Sequence, residues 1–588
     1  MMKNKKASII IICIGALLVI YLAILLSPAL YATGNKLDNI SNALNNPMRI
    51  VFTENTVKVV LILLLIYAFI VVAIISNSKN KRPGEEHGSA KWGEANSLNR
   101  KLRGIYYDQS ILLTANVSIS INREAVHIHR KNLNQLVIGG SGSGKTLFYV
   151  TPNILQANCS YVVLDPKGES LWRTGNFLLS QGYKLRVIDL LHMEKSHGYN
   201  PFAYIRKDHV EQDVQQIVTA IFAAMAPKNG AQQMDPFWDN MASMLLKSLM
   251  LFLYEEAPPY EQNFAMVNQL LREAKVSESN EEELSVVDEL FEELRYKNPD
   301  SIALLYYDEY RDGAAKTLKS IKSTLVSKIE KFIIPSLERL TSYDELELDK
   351  LGEEKTAIFC VIPDNDSSFN FLISILYTQM FLQLYKVADD KYNHSSLPIQ
   401  VQFLMDEFAN VALPEDFQRV LATCRSRGVG ISIIIQNIAQ LKKLFEKDWE
   451  SILGLCDETL YLGGNEPGTF ELLSKIIGKE TIDTNTFGLN KGRNGSFTKN
   501  DQKAGRELLT PDEVRLLPDD KALLFVRGER PVKDKKIDTF HHRNISKTPL
   551  AGGKSYDHGI LINVIDSKQA QDMPSIDSNS IEVLSDIS

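Results

Sequence analysis

Residues 139–146 have the types and spacing of a phosphate-binding loop. They read Gly139, Gly140, Ser141, Gly142, Ser143, Gly144, Lys145 and Thr146, and they fit the pattern G-x-x-x-x-G-K-[ST]. The glycines let successive backbone N–H groups turn inward and form a nest for an anion. In such a loop Lys145 reaches the β- and γ-phosphates of a nucleotide, and the Thr146 hydroxyl binds Mg²⁺.

The segments on either side of this loop favour the same interpretation. Residues 136–138 are a short apolar, β-branched run that predicts a strand, and residues 147–155 predict a helix. The positive N-terminal end of that helix would point at the phosphates. A flexible Gly/Ser turn is the alternative, but a turn has no need of a Lys-Thr pair at this offset.

Two carboxylates follow a second apolar run. Residues 403–405 predict a strand that ends in Asp406 and Glu407. Ligands of open α/β sheets bind at the carboxyl ends of strands. Beside a phosphate-binding loop, Asp406 would coordinate Mg²⁺ or its waters, and Glu407 would accept a proton from the attacking water. A strand-end turn remains the plain alternative.

A third polar group lies after the strand-like residues 431–435. Gln436 follows this run, and an amide there could sense the γ-phosphate and orient water. Upstream, Arg425 could stabilise transition-state charge in the site of a neighbouring subunit. For Arg425 the alternative is a surface ion pair, and for Gln436 it is an ordinary strand-end residue.

The elements that must position these residues recur along the chain. Apolar strand-like runs lie at 161–164, 185–188, 357–362, 401–405, 431–435, 459–462 and 522–526. Such runs alternating with helical stretches predict an α/β fold with a buried, mostly parallel sheet. About 260 residues separate Lys145 from Asp406, and residues 206–351 within them read as helical. We therefore expect an inserted all-α domain at 206–351, between the two parts of a nucleotide-binding domain at 83–205 and 352–545.

Within that insert, apolar residues recur at three- and four-residue steps from Ala314 to Ile329. Lysines 316, 319, 322 and 328 lie on the other face of this predicted helix. They could meet DNA phosphates, although a solvated surface is the commoner use of such a face.

Two apolar runs near the N-terminus predict a membrane anchor at 1–82. Residues 7–26 carry no charge and are long enough to span a bilayer, and residues 57–75 form a second span. Basic residues cluster outside the two spans, whereas the intervening loop of about 30 residues has few, so both termini are expected in the cytoplasm. A cleaved signal peptide and a buried core helix are the alternatives.

Composition excludes some classes of protein. The net charge is −7, so any contact with nucleic acid must be local. The five cysteines are scattered, without a C-x-x-C pair, which indicates a reduced, cytosol-facing protein without a zinc site. From about residue 546 the sequence becomes acidic and poor in apolar residues, and we expect a disordered tail at 546–588.

In order along the chain, these motifs resemble the type IV secretion coupling proteins, the TraG/TraD-like ATPases of conjugation. The resemblance covers most of residues 1–545. Besides the two spans, it rests on residues 87–92, the loop at 139–146, Val163–Glu169, Tyr199–Phe202, Asp235–Asp239, Asp406-Glu407, Gln436 and residues 505–511. The runs Asp-Pro-Lys-Gly-Glu and Tyr-Asn-Pro-Phe make the match specific.

The resemblance implies a RecA-like P-loop NTPase domain with an inserted all-α domain, assembled as a homo-hexamer in the cell membrane. It implies ATP and Mg²⁺ as ligands, and a relaxase with its processing factors, bound to single-stranded DNA, as substrate. It also implies contacts with membrane lipid and with the ATPase and membrane subunits of the type IV secretion channel. It supports Arg425 as the finger from the adjacent subunit. The short loop between the spans resembles the Gram-positive branch.

Other functions remain open at this stage. A duplex DNA pump of the chromosome-segregation kind shares the core and anchor, but a C-terminal winged helix would be expected, which residues 546–588 cannot fold. A docking receptor whose ATP binding only assembles the ring is a second alternative. A coupling ATPase for protein effectors is a third.

Overall fold

The computed structural model describes residues 2–77, 85–122, 131–225, 235–277, 283–366, 368–392, 396–411, 416–490 and 496–559. They form two compact units. The first comprises residues 1–89 and 479–506, and the second comprises 90–478 and 507–588.

The α-helices in chain order are α1 (Met2–Tyr31), α2 (Lys36–Asn45), α3 (Thr56–Asn77), α4 (Ala95–Leu102), α5 (Thr151–Ile154), α6 (Glu169–Ser180), α7 (Val210–Ala224), α8 (Pro236–Glu256), α9 (Phe264–Glu273), α10 (Val286–Lys297), α11 (Ile302–Arg311), α12 (Ala315–Ile329), α13 (Pro335–Ser342), α14 (Asn370–Lys386), α15 (Phe417–Thr423), α16 (Ile438–Phe445), α17 (Trp449–Leu455), α18 (Pro467–Ile477) and α19 (Pro511–Arg515).

The strands are β1 (Ser110–Leu112), β2 (Ser118–Ser120), β3 (Gln135–Ile138), β4 (Ser160–Pro166), β5 (Lys184–Asp189), β6 (Thr356–Ile362), β7 (Val401–Met405), β8 (Val429–Ile435), β9 (Glu458–Tyr461), β10 (Lys479–Asn490), β11 (Ser496–Glu507), β12 (Lys521–Val526) and β13 (Val532–Lys535).

The first unit contains the apolar helices α1 and α3. The stretches Ile10–Tyr31 and Thr56–Ala73 are long and apolar enough to span a membrane, which agrees with an anchor. The first helix runs on to Tyr31, past the predicted end at residue 26, and the Ser27 hydroxyl lies 2.7 Å from Thr56 Oγ1 of α3. A third apolar helix, Asn370–Lys391, is largely buried within the second unit and belongs to its core.

The first unit also holds a hairpin of β10 and β11 that the sequence analysis did not anticipate. Its base is attached to the segment that follows the anchor. The backbone N–H groups of His87 and Gly88 donate to Thr481 Oγ1 at 3.0 and 3.2 Å, and Ser89 forms a bridge with Glu480. Residues 87–89 of the run at 87–92 therefore hold the base of this hairpin.

The second unit is built on a nine-stranded sheet in the order β13-β12-β9-β3-β8-β7-β4-β6-β5. From β9 to β5 neighbouring strands are parallel, and β12 and β13 add an antiparallel edge. The central strands β3, β7 and β8 are buried along their whole length, as expected of a parallel sheet covered on both faces. The predicted α/β class is confirmed, and each predicted strand is present.

Helices α7 to α13 occupy the stretch predicted to be an insert. In α12 the residues Leu318, Ile321, Leu325 and Ile329 are buried, as the spacing predicts. The opposite face is not an open row of lysines, because Lys322 donates to Ala274 O at 2.7 Å and Lys328 pairs with Asp239 at 3.1 Å. Lys316 and Lys319 are exposed. The domain boundaries themselves stay a prediction.

The start of the segment predicted to be disordered is ordered. Residues 546–559 are described, whereas 560–588 lie outside the described residues. Tyr556 is 5% exposed, and its N–H donates to the carbonyl of Trp172 in α6 at 3.1 Å. A Cβ added to Gly175 would lie 2.5 Å from the Tyr556 ring, so the glycine makes room for it. The average composition of 546–588 did not indicate that Tyr556 would be buried against α6.

We predict that Tyr556→Ala loosens the C-terminal part of α6, because it removes a buried ring that covers that helix. The loss for a fully buried aromatic is about 3 kcal/mol. Hydrogen exchange should show faster exchange in residues 172–180, while Ser555→Ala, an exposed neighbour, should leave it unchanged. Equal exchange in the two variants would contradict the docking of this segment.

Candidate nucleotide-binding site

The glycine-rich loop connects β3 to a helical segment that begins at Thr146. The N–H of Gly139 donates to Ile435 O at 3.0 Å, and the N–H of Gly140 donates to Gly463 O at 2.8 Å. These bonds fix the loop between β8 and the end of β9. Gly142 and Gly144 have φ angles of +77° and +84°, and a left-handed backbone of this kind favours glycine. The positions of the two glycines thus have a structural reason, and anion binding by the loop stays a prediction.

The helical segment after the loop starts with a π-helical turn, Thr146–Val150, and continues as α5. Lys145 turns back over the loop, and its ammonium donates to Gly139 O at 2.9 Å. A phosphate in the loop would lie within the reach of the same ammonium. Ser141 and Ser143 complete the loop between these fixed points.

Thr146 and Asp406 are in direct contact although 260 positions separate them. Thr146 Oγ1 donates to Asp406 Oδ2 at 2.6 Å. Asp406 follows β7 and is 4% exposed, and its other oxygen accepts the N–H of Glu407 at 3.1 Å. Burial raises the pKa of Asp406, while the hydrogen bond from Thr146 and the charge of Lys145 oppose this. A carboxylate beside a hydroxyl offers the oxygen ligands that Mg²⁺ prefers.

Glu407 and Gln436 also meet at this edge of the sheet. Glu407 has a left-handed backbone with φ +53°, and its carboxylate accepts two amide hydrogen bonds. Gln436 Nε2 donates to Oε1 at 3.3 Å, and Asn410 Nδ2 donates to Oε2 at 2.9 Å. The two predicted residues are thus brought together, and Asn410 is added to them.

Arg425 lies at the other edge of the sheet. It is exposed, in the 3₁₀ turn Cys424–Arg427 that immediately precedes β8, whereas the loop and the acids follow the carboxyl ends of strands. The seven residues of β8 span about 23 Å at 3.3 Å each, so Arg425 does not join the other residues within one chain. Its neighbour Arg427 pairs with Asp389 at 2.7 Å. A role for Arg425 in an adjacent subunit stays a prediction.

Sequence reasoning missed Lys536. Its ammonium donates to Ser143 O at 2.9 Å, across 393 positions, and lies 5.5 Å from the centre of the Phe148 ring. Burial lowers the pKa of Lys536. No local motif marks this lysine, because it follows β13, a strand that the sequence analysis did not find.

Asp165 is a second residue without an assigned role in the sequence analysis. It lies at the end of β4 and accepts the N–H groups of Ser170 and Leu171 at 3.0 and 2.7 Å, which begins α6. Burial raises its pKa to about 7, and the nearby charge of Asp406 adds to this. Beyond it, Lys167 pairs with Asp364 at 2.7 Å. The Asp-Pro-Lys-Gly-Glu run contains Asp165, but the sequence analysis uses that run only as evidence of the family resemblance.

Comparison with known families and sequences gives consistent results. A family model described as Type IV secretory system Conjugative DNA transfer matches residues 120–569. VirD4 of Rhizobium radiobacter is 21% identical over 477 residues, which cover 79% of this chain and 66% of VirD4. TraG of Escherichia coli is 23% identical over 486 residues, which cover 77% of this chain and 74% of TraG. The match thus spans just under two thirds of VirD4.

Solved structures of the bacterial conjugative coupling protein TrwB share the fold. The unbound monoclinic form aligns with a TM-score of 0.55 at 17% identity, covering 78% of this chain and 95% of that one. TrwB in complex with ADP and Mg²⁺ aligns with a TM-score of 0.53 at 17% identity, covering 81% and 99%.

We predict that Lys536→Met weakens nucleotide binding about fivefold, since it releases the Ser143 carbonyl and one hydrogen bond is worth about 1 kcal/mol. Titration with a fluorescent ATP analogue measures this. Lys533→Met is the matched control, because Lys533 lies on β13, the strand that Lys536 follows, but is exposed. Equal affinities of the two variants would show that Lys536 does not hold the loop.

Proposed function

Because this chain belongs to the type IV secretory system conjugative DNA transfer family, we propose that it is a membrane-anchored ATPase that recruits a relaxase bound to single-stranded DNA. It delivers this substrate to the type IV secretion channel during conjugation. The observation that supports ATP hydrolysis is that four predicted site residues meet at one edge of the sheet. There Thr146 contacts Asp406 at 2.6 Å, and Gln436 contacts Glu407 at 3.3 Å.

The residues at this edge of the sheet support distinct roles in ATP hydrolysis. The loop at 139–146 holds the phosphates, with Lys145 at the β- and γ-phosphates. Thr146 and Asp406 hold Mg²⁺, which neutralises charge on the phosphates. Glu407 accepts a proton from the attacking water, and Gln436 orients that water. The TrwB complex with ADP and Mg²⁺ supports ATP and Mg²⁺ as the ligands of this fold.

The position of Arg425 supports a ring of subunits. Within one chain this side chain is on the edge of the sheet opposite the nucleotide loop, so only a neighbouring chain can bring it to a γ-phosphate. We propose a homo-hexamer in which each Arg425 completes the next site.

The anchor supports a place in the cell membrane, in contact with lipid. The two apolar helices span the bilayer with both termini in the cytoplasm, in accordance with the distribution of basic residues. The proposed partners are the relaxase with its processing factors, and the ATPase and membrane subunits of the secretion channel.

We predict that the full-length protein in lipid nanodiscs hydrolyses ATP and is stimulated by single-stranded DNA. Lys145→Ala should abolish nucleotide binding. Glu407→Gln should retain binding but hydrolyse at least about 100-fold more slowly, because a general base contributes that much or more. Glu471→Gln, at an exposed position on α18, is the matched control.

The same assay, repeated with duplex DNA and with a protein substrate, has three outcomes that would contradict the proposal. Stronger stimulation by duplex DNA would favour a duplex pump. ATP binding without hydrolysis under all conditions would favour a docking receptor. Hydrolysis that responds to a protein substrate but not to DNA would favour export of protein effectors.

We also predict that Arg425 acts between chains. Arg425→Ala alone and Glu407→Gln alone should both be inactive, but their mixture should recover activity, since a mixed ring contains junctions with an intact Glu407 and an intact Arg425. Arg419→Ala, an exposed arginine on α15, should remain active. A mixture that stays inactive, although mixed rings are detected, would rule out the finger.

A further inference from the structure

The carboxylate of Glu407 is held more firmly than its role as a base alone requires. Its φ and ψ of +53° and +41° lie in the left-handed region, which a residue with a side chain adopts only when its surroundings enforce it. Each carboxylate oxygen accepts one amide, from Asn410 at 2.9 Å and from Gln436 at 3.3 Å. Two amide donors fix the plane of a carboxylate, because each oxygen has its own donor.

The backbone of Asn410 is itself held by hydrogen bonds. It ends the 3₁₀ turn Phe408–Asn410, and its N–H donates to Glu407 O at 2.9 Å. Its carbonyl accepts from Nδ2 of Asn370 at 2.8 Å. Asn370 is the first residue of α14 and is 4% exposed. Asn410, which holds the Glu407 carboxylate, is therefore hydrogen-bonded to the N-terminal end of α14.

The C-terminal end of α14 is attached to the turn that carries Arg425. The Tyr385 hydroxyl donates to Val420 O at 3.1 Å and lies 2.8 Å from Thr423 Oγ1, at the end of α15. The guanidinium of Arg427 lies 4.3 Å from the centre of the Tyr385 ring. Arg427 also pairs with Asp389 at 2.7 Å, just beyond α14.

These contacts place two functional groups on the two ends of one rigid element. The 17 residues of α14 extend about 26 Å, close to the length of β8 that separates the two edges of the sheet. The helix is buried along most of its length, so it moves as a body with its ends in fixed relation.

We propose that Asn410 is a positioning residue for Glu407, and that α14 links the Asn410–Glu407 contact to the turn bearing Arg425. The base of one subunit and the finger that it presents to the next subunit then shift together. This inference rests on the ATP hydrolysis proposed above and adds a physical route by which neighbouring sites influence one another.

The first test separates chemistry from binding. Asn410→Ala in the full-length protein should lower kcat at least tenfold, because a displaced base costs that much, while the affinity for a fluorescent ATP analogue changes less than twofold. Asn410→Asp keeps the shape but replaces the donor with a charge facing Glu407, and it should be at least as damaging. Asn298→Ala, an exposed amide after α10, should match the wild type.

The second test addresses the link. Tyr385→Phe removes the hydroxyl contact with α15 but keeps the ring against Arg427. Tyr385 touches no residue of the nucleotide loop among its described contacts, so a local role predicts normal cooperativity. The proposal predicts a Hill coefficient for ATP above one in the wild type and a lower coefficient in Tyr385→Phe, with unchanged nucleotide affinity and unchanged ring assembly.

A kcat of Asn410→Ala within twofold of the wild type would overturn the positioning role. A normal Hill coefficient in Tyr385→Phe would overturn the link, even if Asn410→Ala were slow. In both cases the wild type would still hydrolyse ATP and Glu407→Gln would not, so the proposed function would stand. Failure of the wild-type protein to hydrolyse ATP would overturn both proposals.

Discussion

A ladder of buried polar side chains sets the register of the central strands. Gln402 Nε2 of β7 donates to Ser432 Oγ of β8 at 3.0 Å, and that hydroxyl donates to Gln135 Oε1 of β3 at 2.9 Å. A Cβ on Gly430 would lie 2.3 Å from Gln402 Oε1, so the glycine leaves room for the ladder. In strands that are otherwise apolar, a slip by one residue would bury these groups without partners, which is costly. The contacts at the carboxyl edge between residues of different strands depend on this register.

The register determines which residues meet. Ile138 pairs with Ile435, so the glycine loop and Gln436 leave the sheet side by side. Met405 pairs with Ile433, so Asp406 and Glu407 emerge next to them. Tyr149 extends the ladder to the helical segment after the loop, since its hydroxyl lies 2.9 Å from Ser432 Oγ. The same parallel arrangement places the turn before β8 at the opposite edge, so Arg425 lies far from the nucleotide loop of its own chain.

Local patterns were sufficient for the parts of the fold that repeat. Apolar runs predicted the strands of the central sheet, and the three- and four-residue spacing predicted the buried stripe of α12. Strands β1 and β2, with three residues each, are too short to show a pattern. The site was predicted where a motif is contiguous, as in the loop at 139–146. Lys536 was missed because it contacts Ser143 across 393 positions, which no local spacing encodes. Asn410 was missed because its contact with Glu407, three positions away, depends on the left-handed backbone of Glu407, which the sequence does not reveal.

The electrostatics of the carboxyl edge give an independent reason to expect a cation there. Asp165 and Asp406 are both buried, burial raises the pKa of each, and the charge of Asp406 further raises the pKa of Asp165. A site of this kind resists its own full ionisation, and the charge of Lys145 does not fully offset the effect of burial on the pKa of Asp406. A divalent cation beside Asp406 would favour the ionised carboxylates, and the same ion would be attracted by phosphates in the loop. Nucleotide and Mg²⁺ would therefore each improve the binding of the other, so the proposed ligands suit the site as a pair.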